Sequence, residues 1–141
     1  MSLFTHDIVI AHPVERVFAT IADVTTHPRW QQGLVRTETV GAAPASVGAR
    51  GVEVRRMIGR EVGFPYEITV YAPPHRWGFR VLEGPVRLAV VLTFTSCDEG
   101  TRIQSTLQVP GVLGPLVGRM LLSQQRRNYA RLKMMLEDGI L

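Results

Sequence analysis

The feature that most constrains this chain is a change of rhythm at Leu34 and another after Val109. Between them lie six short runs of alternating apolar and polar residues, "LVRTETV", "GARGVEVRRMIG", "EVGFPYEITVYA", "HRWGFRVLE", "VRLAVVLTFTS" and "TRIQSTLQV", divided by turns rich in glycine and proline. Alternation of period two with turn residues between the runs predicts an antiparallel meander with one apolar face. In "EVGFPYEITVYA", Val62, Phe64, Tyr66, Ile68 and Val70 share a face, and Glu61, Glu67 and Thr69 take the other. The same phase groups Trp77, Phe79 and Val81, then Val86, Leu88, Val90, Leu92 and Phe94, then Ile103, Ser105 and Leu107. Pro65 has no N–H for a ladder, so it marks an edge or a bulge. Such a sheet has to cover its apolar face with another element.

The pattern after "PGVLGP" supplies the cover. It reads as a helix of some twenty-odd residues ending near "LEDGI", where Gly139 fits a C-cap. At 3.6 spacing its inward line is Leu113, Val117, Met120, Gln124, Asn128, Leu132 and Met135 or Leu136. Ahead of the meander, "LFTHDIVIA" reads as a first strand and "HPVERVFATIAD" as a short helix burying Val14, Val17, Phe18 and Ile21. Pro13 suits the first helical position, where its missing N–H is not needed. In "ADVTTHPRWQQG", Pro28 disfavours helix at His27, so this stretch reads as a break followed by one turn carrying Trp30. "GAAPASVG" is the one linker-like segment. The expected architecture is α+β: a curved antiparallel sheet of about six to seven strands wrapped on a long C-terminal helix, with two short helices after the first strand.

Size and composition agree with a single domain over residues 1–141. The chain is 45% hydrophobic and 20% charged, and no apolar run approaches the ~20 residues that span a bilayer. The start shows no basic leader before an apolar segment, so a cytoplasmic location is expected. Cys97 is the only cysteine, which excludes an internal disulfide and any zinc site built from several thiolates. A net charge of +4 raises nucleic acid as a partner. The sixteen basic residues, all arginine except Lys133, are scattered rather than clustered, which argues against that footprint. His6, His12, His27 and His75 lie in separate elements without metal-ligand spacing, and no phosphate-loop glycine pattern occurs. No metal and no cofactor are expected.

The order of elements, together with "HPVERVFATIAD", "HPRWQ", "GAAPASVGAR", "YEITVYAPPHRWGFRV", "TFTSCDEGTRIQSTL" and "YARLKMMLE", resembles the polyketide cyclase/dehydrase and lipid-transport family of the START and Bet v 1-like superfamily. The resemblance covers nearly the whole chain. It implies a helix-grip fold with a cavity between sheet and helix for lipids, polyketides or other apolar compounds. It does not by itself imply catalysis, because a fold does not determine a function.

The candidate ligand-binding residues follow from the inward faces. Tyr66, Trp77 and Phe79 offer aromatic wall and two polar handles. Met120, Gln124 and Asn128 lie on the covering face of the helix, where buried amides need partners or a ligand. In "VEVRRMI" the more apolar phase is Val52, Val54 and Ile58, which carries Arg56 inward with them as an anchor for a carboxylate or enolate. Trp30 is expected over a mouth of the cavity as gate or wall. Three functions compete. The first is a binder of a small hydrophobic molecule, acting as monomer or homodimer. The second is a cyclase or dehydratase using Tyr66, Arg56, Gln124 or Asn128, with no strong general base in the inward set. The third is a docking module that presents Arg119, Arg126, Arg127 and Arg131 to an acidic protein or anionic lipid.

Overall fold

The computed structural model describes residues 1–41 and 46–141, so half of "GAAPASVG" lies outside the described residues. The elements run β1 Ser2–Ile10, α1 Val14–Ala22, a 3-10 turn Val24–Thr26, α2 His27–Trp30, β2 Leu34–Val40, β3 Arg50–Met57, β4 Arg60–Ala72, β5 Arg76–Val81, β6 Ala89–Cys97, β7 Gly100–Val109 and α3 Gly114–Glu137. The seven strands form one antiparallel sheet in the order β1-β7-β6-β5-β4-β3-β2. Every neighbour except the β1–β7 pair is a sequence neighbour, which is the predicted meander closed by the first strand. This is the helix-grip architecture, with α3 held along the concave face.

The alternation read in the sequence places the core. Tyr66, Ile68, Trp77, Val90, Leu92, Phe94, Ile103 and Leu107 are buried, as the period of two requires. Val14, Val17, Phe18 and Ile21 on α1 join them. Pro65 lies in the stretch of β4 that has run past the end of β5, since β4–β5 pairing begins at Tyr66↔Val81; there the missing N–H costs no ladder bond. Between β1 and α3 the approach is close: a Cβ built on Gly118 would sit 2.0 Å from the Phe4 ring, so only glycine lets the helix lie on that strand.

Two details depart from the expectations. Pro28 does not interrupt helix; it occupies the first turn of α2, where no intrahelical N–H is missed. The buried line of α3 is also turned by about one residue in its first half. Gly118, Leu121, Gln125 and Tyr129 face the sheet with Leu132 and Leu136, while Leu113 and Met120 are exposed. Among the described residues no helix is long and apolar enough to cross a membrane.

Candidate functional site

Sheet and helix do not meet everywhere. Between β3, β4, β5, β6, β7 and the α3 segment from Val117 to Tyr129 lies a cavity of about 310 Å³, open at one end. Its walls are chiefly apolar: Phe64, Phe79, Val81, Val86, Leu88, Val90, Leu107, Val117 and Leu121. Polar groups enter from two sides, Gln31, Glu53 and Arg55 where α2 and β3 meet, and Gln124, Gln125 and Asn128 from α3.

The α2–β3 side is organised by a chain of hydrogen bonds. His27, 2% exposed, donates from Nε2 to the Ile21 carbonyl at 2.7 Å. With that nitrogen protonated, Nδ1 accepts from Gln31 Nε2 at 3.3 Å. Gln31 Oε1 accepts from Arg55 Nη2 at 2.8 Å, and Arg55 reaches Glu53 Oε2 at 3.1 Å. Burial lowers the His27 pKa, against the opposing pull of the Ile21 carbonyl, so the ring stays neutral and holds this tautomer. Both bonds from Arg55 end on Oε2. Oε1 of Glu53 accepts no hydrogen bond among the described residues.

The floor is aromatic. Trp30 stacks on Tyr129 at 5.8 Å between centroids, and His27 meets Trp30 edge-on at 5.0 Å. Burial pushes the Tyr129 phenol up to about 12, so it stays protonated at any physiological pH. Ser105 donates to Gln125 Oε1 at 3.3 Å.

The sequence candidates separate into three groups. Trp30, Phe79, Met120, Gln124 and Asn128 border this cavity. Trp30 is a wall residue deep inside, 2% exposed, and does not cover the mouth. Asn128 Oδ1 is already engaged, accepting from the Gln32 backbone N–H at 3.2 Å, whereas Gln124 makes no hydrogen bond among the described residues. Tyr66 and Trp77 border a second cavity of about 80 Å³ near the β2–β3 end. There Tyr66 lies over Gly51, where any side chain would collide with its hydroxyl, and burial, aided by Glu53, raises its pKa to about 12.

Arg56 also borders the larger cavity, at its rim, but the strand phase read for it requires a correction. Arg56 does not point inward with Val52, Val54 and Ile58. The register puts Gly51, Glu53 and Arg55 on the face shared with Phe64 and Tyr66. Arg56 stands at the rim with its side chain 62% exposed, 3.8 Å from Glu61, and Ile58 is fully exposed in the turn. Sequence reasoning therefore missed Glu53, Arg55, Gln31 and Tyr129. The signal for Tyr129 was present, at helical spacing from Gln125 and Leu132. Among the described residues no three His, Cys, Asp or Glu side chains converge on a metal-sized site.

Fold and cavity define a helix-grip domain, an antiparallel sheet closed by one long helix around a chiefly apolar space. The sequence pattern of the family described as "Polyketide cyclase / dehydrase and lipid transport" matches residues 1–137, and the chain belongs to that family. Among solved structures, protein NE0264 from Nitrosomonas europaea superposes with a TM-score of 0.82 at 12% identity, covering 97% of this chain and 95% of that one. TTHA0849 from Thermus thermophilus gives 0.71 at 22% identity, covering 99% and 97%. The di-domain ARO/CYC BexL of the BE-7585A biosynthetic pathway gives 0.80 at 18% identity, covering 97% of this chain and 47% of that one. At these identities the likeness is one of fold. No curated protein matches the sequence.

Proposed function

We propose that the chain binds one small, predominantly apolar molecule in the larger cavity, with a hydroxyl or other hydrogen-bond donor on the ligand turned toward Glu53. The observation that carries this reading is a chiefly apolar wall that holds one carboxylate, Glu53, with both Arg55 bonds on Oε2 and Oε1 free. At about 310 Å³ the space lies at the lower limit of the roughly 300–1,000 Å³ common for small-molecule sites, which suits a compact ring system or a single short chain. Burying about 200 Å² of ligand apolar surface contributes on the order of 5 kcal/mol before entropic losses. The negative charge of Glu53 consumes the positive charge of Arg55, so a ligand carboxylate finds no net cation there.

The test is a titration of Trp30 fluorescence with a medium-chain alcohol, its carboxylic acid and its alkane, beside native mass spectrometry after incubation with cell extract. The alcohol binds most tightly, and Glu53→Leu weakens it about tenfold while leaving the alkane unchanged, the loss of a hydrogen bond to a charged group. No titration with any probe and no mass retained from extract would sink the proposal.

Glu53 also favours a second reading. A carboxylate in the wall, beside a guanidinium able to polarise a carbonyl, supplies the base and the electrophile of a cyclase or dehydratase, in keeping with the fold likeness to the ARO/CYC protein. This reading requires that Glu53→Gln abolish turnover of a polyketone while preserving its binding, and that Asn128→Ala reduce turnover.

A further inference from the structure

The antiparallel register brings five chain segments to one end of the molecule. Val109 at the end of β7 pairs with Ser2, Ala89 at the start of β6 pairs with Gln108, and Tyr66 pairs with Val81. The amino terminus, the β3–β4 turn, the β5–β6 loop, the β7–α3 loop and the start of α3 therefore lie together, and exposed residues of the larger cavity's lining, Met57, Pro85 and Met120 among them, stand at this end.

Exposed apolar side chains gather at the same end. Of the thirteen large hydrophobic residues exposed among the described residues, nine lie there, led by Ile58 at 101%, Val112 at 97%, Met1 at 86%, Leu116 at 71%, Leu113 at 67% and Met120 at 65%. Scattered exposed apolar residues are ordinary, but a concentration at one end marks an interaction surface. Ile58 sharpens the point. It occupies a two-residue turn with φ +49, followed by Gly59 at +72, a type I′ geometry that favours asparagine or aspartate and opposes a β-branched residue. Neither burial nor backbone preference accounts for isoleucine at this tip.

The charges around this end select the partner. Arg60, Arg87 and Arg119 are exposed and have no acidic partner among the described residues, against one exposed carboxylate without a pair, Glu83, while Glu61 is taken by Arg36 and Arg56. Apposing two copies of this end would bring these arginines toward their equivalents. The apolar residues also stand on separate projecting segments rather than along a groove, which suits a fluid interface. Apolar tips ringed by arginine match the headgroup boundary of an anionic bilayer. We infer that this open end docks on anionic lipid membranes, with Ile58, Val112, Leu113 and Leu116 entering the interface and the three arginines meeting the headgroups. The inference stands apart from the ligand reading, although a mouth held at a bilayer would let an apolar ligand pass without crossing water.

Co-sedimentation with phosphatidylglycerol/phosphatidylcholine vesicles and with phosphatidylcholine vesicles tests it. The chain partitions onto the anionic vesicles at low ionic strength and is released as salt rises. Ile58→Asp with Leu116→Asp lowers the partition coefficient at least about tenfold with a thermal midpoint no lower than that of wild type, since both side chains are exposed and aspartate suits the turn. Arg60→Gln, Arg87→Gln and Arg119→Gln together remove the preference for anionic lipid. Three results would overturn the inference: wild type left in the supernatant of anionic vesicles, partition unaffected by the paired aspartates, or a dimer in gel filtration that those aspartates dissociate while no vesicle binding is seen.

Discussion

The two ends of the cavity use the same kinds of residue in opposite ways. At the inner end Trp30 is 2% exposed, packed against His27 and Tyr129, and both ring nitrogens of His27 are bonded, to Ile21 and Gln31. At the open end Ile58, Val112 and Leu116 project into solvent on turns and on the first turn of α3. Burial accounts for each aromatic residue at the inner end. At the open end nothing within the fold accounts for the aliphatic ones, and their presence there is explained by a partner outside it.

The largest expected effect breaks the inner end. Trp30→Ala removes a fully buried indole from between two rings and leaves a space beside an existing cavity, which should cost roughly 3–5 kcal/mol in urea unfolding. A loss well under that range would mean that the cavity collapses and that the aromatic floor is soft. Acid gives the next effect. In the native state burial holds the His27 pKa below 6.5, and burial together with nearby Arg126 lowers His6, which Asp7 opposes. As pH falls through 6.5 the unfolded chain takes up protons that these native rings refuse, so stability present at neutral pH is lost progressively below that value. Glu67 and Glu137, held below 4.5 by Arg80 and Lys133, add their loss only under more acid conditions. Thermal midpoints measured between neutrality and pH about 5.5 should decline, and His27→Asn, although less stable, should flatten the slope.

How much of this could be read in the sequence depended on what each face meets. On β4, β5 and β7 the inward residues pack on apolar neighbours, so Tyr66, Ile68, Trp77, Ile103 and Leu107 stood out by alternation alone. On β3 the inward phase is Gly51, Glu53 and Arg55, because it borders a polar side of the cavity. The apolar phase, Val52 and Val54, lies on the other face, and a rule that equates apolar with inward must choose wrongly there. On α3 the same cause acts more mildly: where the helix faces space rather than packed core, Gln124 and Gln125, or Asn128 and Tyr129, compete for the inward position and the stripe is ambiguous by one residue. The His27 chain was beyond reach, since Gln31 and Arg55 meet only after β2 and β3 pair. The β1–β7 closure is likewise a contact across almost the whole chain.

The smallest effect separates folding from function at the open end. Ile58 holds a left-handed backbone that costs a residue with a Cβ about 1–2 kcal/mol, and more for a branched one. Asparagine tolerates that conformation and is favoured before glycine in this turn. Ile58→Asn should therefore raise stability by about 1 kcal/mol, and since Ile58 touches neither the aromatic floor nor Glu53, binding of soluble probes in the cavity should not change. If the residue serves the membrane surface, the same variant partitions less onto anionic vesicles. A gain in stability together with a loss of docking would show that the two ends of the cavity answer to different demands. A loss of stability would show instead that Ile58 makes a contact that supports the turn, and the contrast between the two ends would be weaker than its exposure implies.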